Sequence, residues 1–207
     1  MKNLMKIAFL TAIALELGGC AVGVTHSLDQ VSPNINAKNG STVELAVQDK
    51  RDFVVRGEKP ASFIGLSRGG FGNPFDVNTT SGKSLASDIS KVVETALTNK
   101  GVKVINVEVA PSAAEDKTIE LLASSGNKSI FLKINSWKSD TFSQTTLNYN
   151  LELLILDKTG KVLGSNAVSG SEILSGPSWS ARDKVPPVLS SKLEMLFSDP
   201  KISSKLQ

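Results

Sequence analysis

From residue 42 onward, hydrophobic and polar positions recur in short blocks, and the period of each block predicts its element. Over 42–51 (TVELAVQDKR), Val43, Leu45 and Val47 alternate with Glu44, Ala46 and Gln48. A period of two predicts a half-buried strand. Asp49 and Arg51 continue its inward parity, where they could pair with each other or with Arg68. Residues 63–66 (FIGL) suggest a short strand, and the Gly, Asn and Pro content of 69–82 predicts a loop.

The period changes over 84–101. Leu85, Ile89, Val92, Val93, Ala96 and Leu97 recur at spacings of three and four, and Gly101 follows as a stop. This predicts an amphipathic helix packed on a core. Residues 102–109 alternate again as a strand. Ser112 and Glu115 have capping-box spacing for a short helix running to about Ala123. Residues 129–140, 145–157 and 161–174 read as three strands, the last two joined by a turn at 157–160 with Gly160 at its positive-φ position. Together they predict an antiparallel meander. Pro186 and Pro187 suit a helix start, and Asp199-Pro200 an N-cap and first helical position for a last short helix.

In the meander, Leu147, Tyr149, Leu151, Leu153 and Ile155 share one face of a strand. That pattern also suits a membrane hairpin. The returning strand decides against it: Leu163, Ser165, Ala167 and Ser169 on one side, and Gly164, Asn166, Val168 and Gly170 on the other, make no lipid face. A core-facing sheet is expected.

The amino-terminal pattern is of another kind. Lys2 and Lys6 precede an apolar run over 7–15 (IAFLTAIAL), too short to span a bilayer. Leu17-Gly18-Gly19-Cys20 follows, and it resembles the bacterial lipobox, whose aliphatic and small residues are read by the signal peptidase. Its cysteine then carries lipid as the new amino terminus. An ordinary secretory leader with an incidental cysteine is the plainer alternative. Glu16 is at odds with the motif, because a carboxylate beside the apolar run opposes membrane insertion. Ala21 in place of an aspartate favours the outer membrane, with the domain in the periplasm. Residues 21–41 carry Pro33, Gly40 and several Asn and Ser, and no sustained periodicity is evident. They read as a polar tether, with His26 solvated in it.

The expected organisation is therefore a lipoprotein signal peptide over 1–19, a lipidated amino terminus and flexible tether over 20–41, and a single small α+β domain over 42–207. In that domain an antiparallel β-meander packs with two or three helices.

Composition narrows the function. The chain has 207 residues, 23 basic and 20 acidic, with a formal net charge of +3. That balance gives no basic surface for nucleic acid. One cysteine and one histidine argue against a disulfide and against a Cys- or His-based metal site. SGKS at 81–84 fails as a phosphate loop because Val77 stands where glycine is required. The carboxylates are scattered, so no catalytic residues, metal or cofactor are assigned beyond covalent lipid on Cys20, and an enzyme is not expected. Asp49, Arg51 and Arg68 remain as a polar cluster, structural or partner-binding. Trp137 and Trp179 could serve an interface or the core.

The order of these features resembles the YajG-like family of bacterial lipoproteins: Leu17-Gly18-Gly19-Cys20, the strand ending Asp49-Lys50-Arg51, Ile64-Gly65 with Arg68, the helix ending at Gly101, and the meander followed by a helix. The resemblance implies an outer-membrane lipoprotein with an α+β domain and no catalytic residues. The expected function is non-enzymatic binding of a cell-envelope protein partner. The alternative is a component of a secretion or transport complex that uses the 145–174 hairpin to oligomerise or insert.

Overall fold

The longest strand organises the others. The computed structural model describes residues 24–174, Gly176 and residues 180–207. Its strands are β1 (Val24–His26), β2 (Thr42–Asp49), β3 (Phe63–Arg68), β4 (Pro74–Thr79), β5 (Lys103–Val107), β6 (Lys128–Thr141), β7 (Thr145–Leu156) and β8 (Val162–Leu174). Its helices are α1 (Asp52–Val55), α2 (Leu85–Thr98), α3 (Glu115–Ala123), α4 (Ala181–Ser198) and α5 (Pro200–Leu206). All eight strands form one sheet. β7 pairs antiparallel with β6 along nearly its whole length. The other edge of β6 is shared: β2 runs parallel to residues 128–134, and β3 runs parallel to residues 139–141. β5 adds in parallel outside β2, while β4 and then β1 extend the sheet beyond β3.

The antiparallel meander β6-β7-β8 is as expected, but the sheet around it is mixed and five helices accompany it among the described residues. The physical reason is β2. Its sequence alternates, yet it is buried on both sides from Val43 to Asp49. Val43, Leu45 and Val47 pack in the main core with the apolar stripe of α2 and with Leu189, Leu193 and Phe197 of α4. On the opposite face Ala46 joins Phe131, Leu154 and Leu156 beneath Leu122 of α3. A parallel central strand is covered by helices on both faces, so it is not the half-solvated strand that alternation predicts.

The segment expected as a tether is part of this core from β1 onward. Leu28, Val31 and Ile35 are buried against the main cluster, and His26 is buried too. Their signal was present in the sequence. Val31, Pro33 and Ile35 alternate inward with exposed Ser32, Asn34 and Asn36. β4 lies within the stretch expected as a glycine-rich loop; Gly69–Asn73 before it and 80–82 after it form turns.

Helix boundaries moved for local reasons. α2 begins as expected, with the Ser84 side chain accepting from the Ser87 amide. Ser112 does not cap α3. Ala114 takes that position, and the Glu115 carboxylate accepts from Lys133 Nζ at 2.9 Å instead of reaching back to close a capping box. α4 starts before its two prolines and carries both inside. Each removes one N–H from the helix, while the burial of Val185 and Leu189 holds that stretch on the core. The Asp199 side chain caps α5 as expected, accepting from the Lys201 amide at 2.8 Å.

Candidate functional site

The three predicted polar residues divide between two places. β2 ends at Asp49, and the chain turns through α1 to resume as β3 on the same edge of β6. Between these segments β6 carries an irregularity at 134–136, and among the described strands none pairs with that edge there. Arg51 fills the gap. Its Nε and Nη2 donate to the two carboxylate oxygens of Asp49 at 2.8 and 2.6 Å. Nη2 also donates to Ala61 O at 3.0 Å, and Nη1 to Phe63 O and, at 3.4 Å, Trp137 O. All five guanidinium N–H donors are thereby engaged. The guanidinium also lies 5.1 Å from the centroid of the Phe53 ring.

This cluster is 0% exposed at Arg51 and 2% at Asp49, so it has neither a free donor nor access for a ligand. It clamps the junction of two strands and satisfies carbonyls that no neighbouring strand reaches. Arg68 lies elsewhere. Its Nε and Nη2 donate to the two oxygens of Asp140 at 2.7 and 2.6 Å, near the β3–β4 and β6–β7 turns. The Asp140 hydrogen bond raises the arginine pKa, and the same bond lowers that of the carboxyl. Trp137 belongs to the core, fully buried. Trp179, Cys20, Leu17, Gly18 and Gly19 lie outside the described residues.

A second polar group closes the helical layer onto the hairpin. Glu172 of β8 accepts from Tyr149 Oη at 2.8 Å and from Lys192 of α4. The Lys192 ammonium also sits 4.6 Å from the centroid of the Tyr149 ring. Hydrogen bonds from Lys192 and Tyr149 hold the Glu172 carboxyl below its usual range. Burial pushes the Lys192 pKa down, but the bonds to Glu172 and Tyr149 outweigh it and the net shift is upward. Gly170 makes room for this packing, because a Cβ there would meet Tyr149 Oη at 2.8 Å. The group latches α4 onto β7 and β8.

Grooves on the surface are open. One of about 690 Å³ runs between α2 and β5, lined by Ser87, Lys91, Glu94 and Asn106 among others. Another, of about 540 Å³, lies between residues 27–32 and α4. Neither adjoins a cluster of perturbed titratable groups. Among the described residues no group of three His, Cys, Asp or Glu side chains could hold a metal ion, and no helix is long and apolar enough to cross a membrane.

The surface best suited to recognition is a strand edge. Among the described strands β8 pairs with β7 alone, leaving one long side open. From Val162 to Ser171 it carries no charged residue, and Ser165, Ala167, Ser169 and Ser171 are exposed. Natural edge strands are ordinarily short, charged, bulged or covered. The run of small uncharged residues was visible in the sequence, but not that one edge would lack a neighbour.

No protein-family model and no curated protein matches the chain, so the likeness to the YajG-like family rests on the residues quoted for it. Several solved structures are similar. A Xanthomonas campestris protein of family DUF330 is 11% identical, with a TM-score of 0.47, covering 89% of this chain and 93% of its own. The PelC dodecamer from Paraburkholderia phytofirmans is 13% identical, with a TM-score of 0.38, covering 77% of this chain and 91% of its own. The lipoprotein GNA1162 from Neisseria meningitidis is 13% identical, with a TM-score of 0.32, covering 75% of this chain and 96% of its own. At these identities and scores they assign no function to this chain.

Proposed function

We propose that the chain is a YajG-like, non-enzymatic lipoprotein, anchored to the outer membrane through lipid on Cys20, whose domain binds a periplasmic envelope protein along the open edge of β8. The carrying observation is that edge: 13 residues long, paired on one side, and uncharged over most of its length. A partner segment adding there gains main-chain hydrogen bonds, and the exposed small side chains let it approach closely. The lipobox residues Leu17, Gly18 and Gly19 support the anchor.

Two measurements test this reading. Radiolabelled fatty acid should enter the wild-type chain and not Cys20→Ala; equal labelling of both sinks the anchor. A photo-crosslinker at Ser169 should capture one envelope protein in intact cells, and Ser165→Lys with Ala167→Lys should abolish the adduct without altering the circular dichroism spectrum. An adduct that survives both lysines places the contact elsewhere.

The same edge also supports a second reading, in which a copy of the chain pairs there within a secretion or transport complex. Edge-to-edge oligomerisation keeps the fold intact. Insertion of the 145–174 hairpin does not, since Leu147, Leu151 and Leu153 are fully buried in the core. A crosslinked dimer in place of a heterologous adduct favours this reading.

A further inference from the structure

Two neighbouring turns carry exposed phenylalanines. β3 and β4 are joined at Gly69–Asn73, and β6 and β7 at 142–144. Because β3 runs parallel to β6, with Ser67 opposite Thr141, both turns lie at the same end of the sheet. Phe71 at the first tip is 100% exposed, and Phe142 at the second is 52% exposed. Phe75, beside the first tip, is 41% exposed. Single exposed apolar residues are common on proteins and need no explanation. Here two large ones sit on adjoining turns, with a third at the start of β4 beside them.

The direction of β1 says what they face. β1 is parallel to β4, with Val24 opposite Val77 and His26 opposite Thr79. β4 runs away from its turn, so β1 does too, and the amino side of Val24 points back toward the tips. Cys20 is four residues before Val24. A chain of that length spans at most about 14 Å when fully extended, at roughly 3.3–3.6 Å per residue. A lipid on Cys20 therefore holds this end of the domain within reach of the headgroups.

We infer that the Phe71 and Phe142 turns form a membrane-contact face, seating their rings at the boundary between headgroups and acyl chains. The inference rests on the lipid anchor proposed above. Its occupant is the bilayer that carries the anchor. More than one acyl chain already gives stable anchoring, so the rings set orientation and not affinity. With the tips down, β8 returns from the far end of the sheet to the β6–β7 turn, where Leu174 pairs with Thr145, and its start at Val162 is roughly 36 Å of extended strand from Ile173 at a rise near 3.3 Å per residue. The open edge is thus presented to the aqueous compartment.

The test uses the full lipidated chain, purified and reconstituted into phosphatidylethanolamine and phosphatidylglycerol vesicles with brominated acyl chains. Phe71→Trp, Phe142→Trp and, as a control, Val162→Trp are each made in a Trp179→Phe background, where the remaining Trp137 is fully buried. Mass spectrometry records the modification of Cys20, and circular dichroism the fold. Tryptophan at 71 and at 142 should shift to the blue and lose most of its emission to bromine, while tryptophan at 162 keeps its emission. Lipidated Cys20 with no quenching at 71 and 142 overturns this inference and leaves the anchor standing. A blue shift without quenching overturns it as well, and indicates cover by protein. An unmodified Cys20 overturns the anchor and this inference together.

Discussion

Asp49–Arg51 and Asp140–Arg68 are the same chemical pair in two settings. Each is a forked guanidinium on a carboxylate, with shortest contacts of 2.6 Å. The first has side chains 0% and 2% exposed; the second is about one-third exposed on both sides. In water the attraction of a pair is largely offset by hydration and by the entropy of ordering two long side chains. Inside the protein neither partner can return to water, so removing one strands the other. Arg51 also satisfies three backbone carbonyls, whereas Arg68 serves Asp140 alone among the bonds the structure shows. What a bidentate pair does for a fold is decided by its surroundings and not by its geometry.

The largest effect should come from breaking the inner pair. Arg51→Ala leaves the Asp49 carboxylate with only the residue-51 amide, 3.2 Å away, and takes the donor from three carbonyls in a dry site, and urea unfolding should show a loss of about 3–5 kcal/mol. Replacing both members, Asp49→Ala with Arg51→Met, should recover only part of that loss. The carbonyls of Ala61, Phe63 and Trp137 stay unsatisfied, at about 1–3 kcal/mol for each buried group left unpaired. Full recovery by the double variant would falsify the role given to those carbonyls.

A smaller effect is expected between the two pairs. Gly65 lies on β3, where that strand meets β6 opposite Ser139. A Cβ there would strike the Ser139 side chain and approach its carbonyl oxygen to 2.6 Å. Gly65→Ala should cost about 1–3 kcal/mol by overpacking, read as a lower thermal midpoint. An unchanged midpoint means that the strands can part there without consequence.

Acid tests the outer groups. Hydrogen bonds to Lys192 and Tyr149 depress the Glu172 pKa, and those to Arg68 depress that of Asp140. A carboxylate depressed on folding adds stability that is fully present above its unfolded pKa, about 4.3 for Glu and 3.9 for Asp. That stability is lost as pH falls through the lower folded value. The thermal midpoint should hold between pH 7 and 5 and fall below about pH 4. Glu172→Gln should lower the neutral plateau and flatten part of the acid slope, and an identical slope in the variant excludes Glu172 from it.

Arg68→Ala should have the smallest effect. Its thermal midpoint at 150 mM salt, roughly the physiological screening condition, should fall only slightly below that of the unmodified chain, as expected for a solvent-exposed pair. A loss comparable to that of Arg51→Ala would show that exposure does not separate the two pairs.

Elements whose signals lie within a few residues were legible. The stripe of α2, the Asp199 cap of α5 and the 157–160 turn all depend on neighbours in the chain, and the structure has them where the pattern predicts. The positive φ of 84° at Gly160 is one such local requirement. The polar cluster was legible in part. That Asp49 and Arg51 share an inward parity could be read from β2, but the departure of Arg68 to Asp140 depends on a contact 72 residues away in the chain. The short alternation Val31-Ser32-Pro33-Asn34-Ile35 was readable, yet its polar setting resembled a linker more than a core segment.

By itself the sequence determined the elements that satisfy themselves locally: the amphipathic helix, the Asp199 cap, the meander and its 157–160 turn, together with the lipobox resemblance at Cys20. Only the tertiary structure decided that β2 is central and doubly covered, that residues 24–37 complete the core, that Arg51 seals a junction on β6, and which strand edge and which end stay open. Hydrophobic period reports one buried face of one element. Which element covers it, and what remains uncovered, is settled by contacts between residues far apart in the chain, and periodicity carries no record of those.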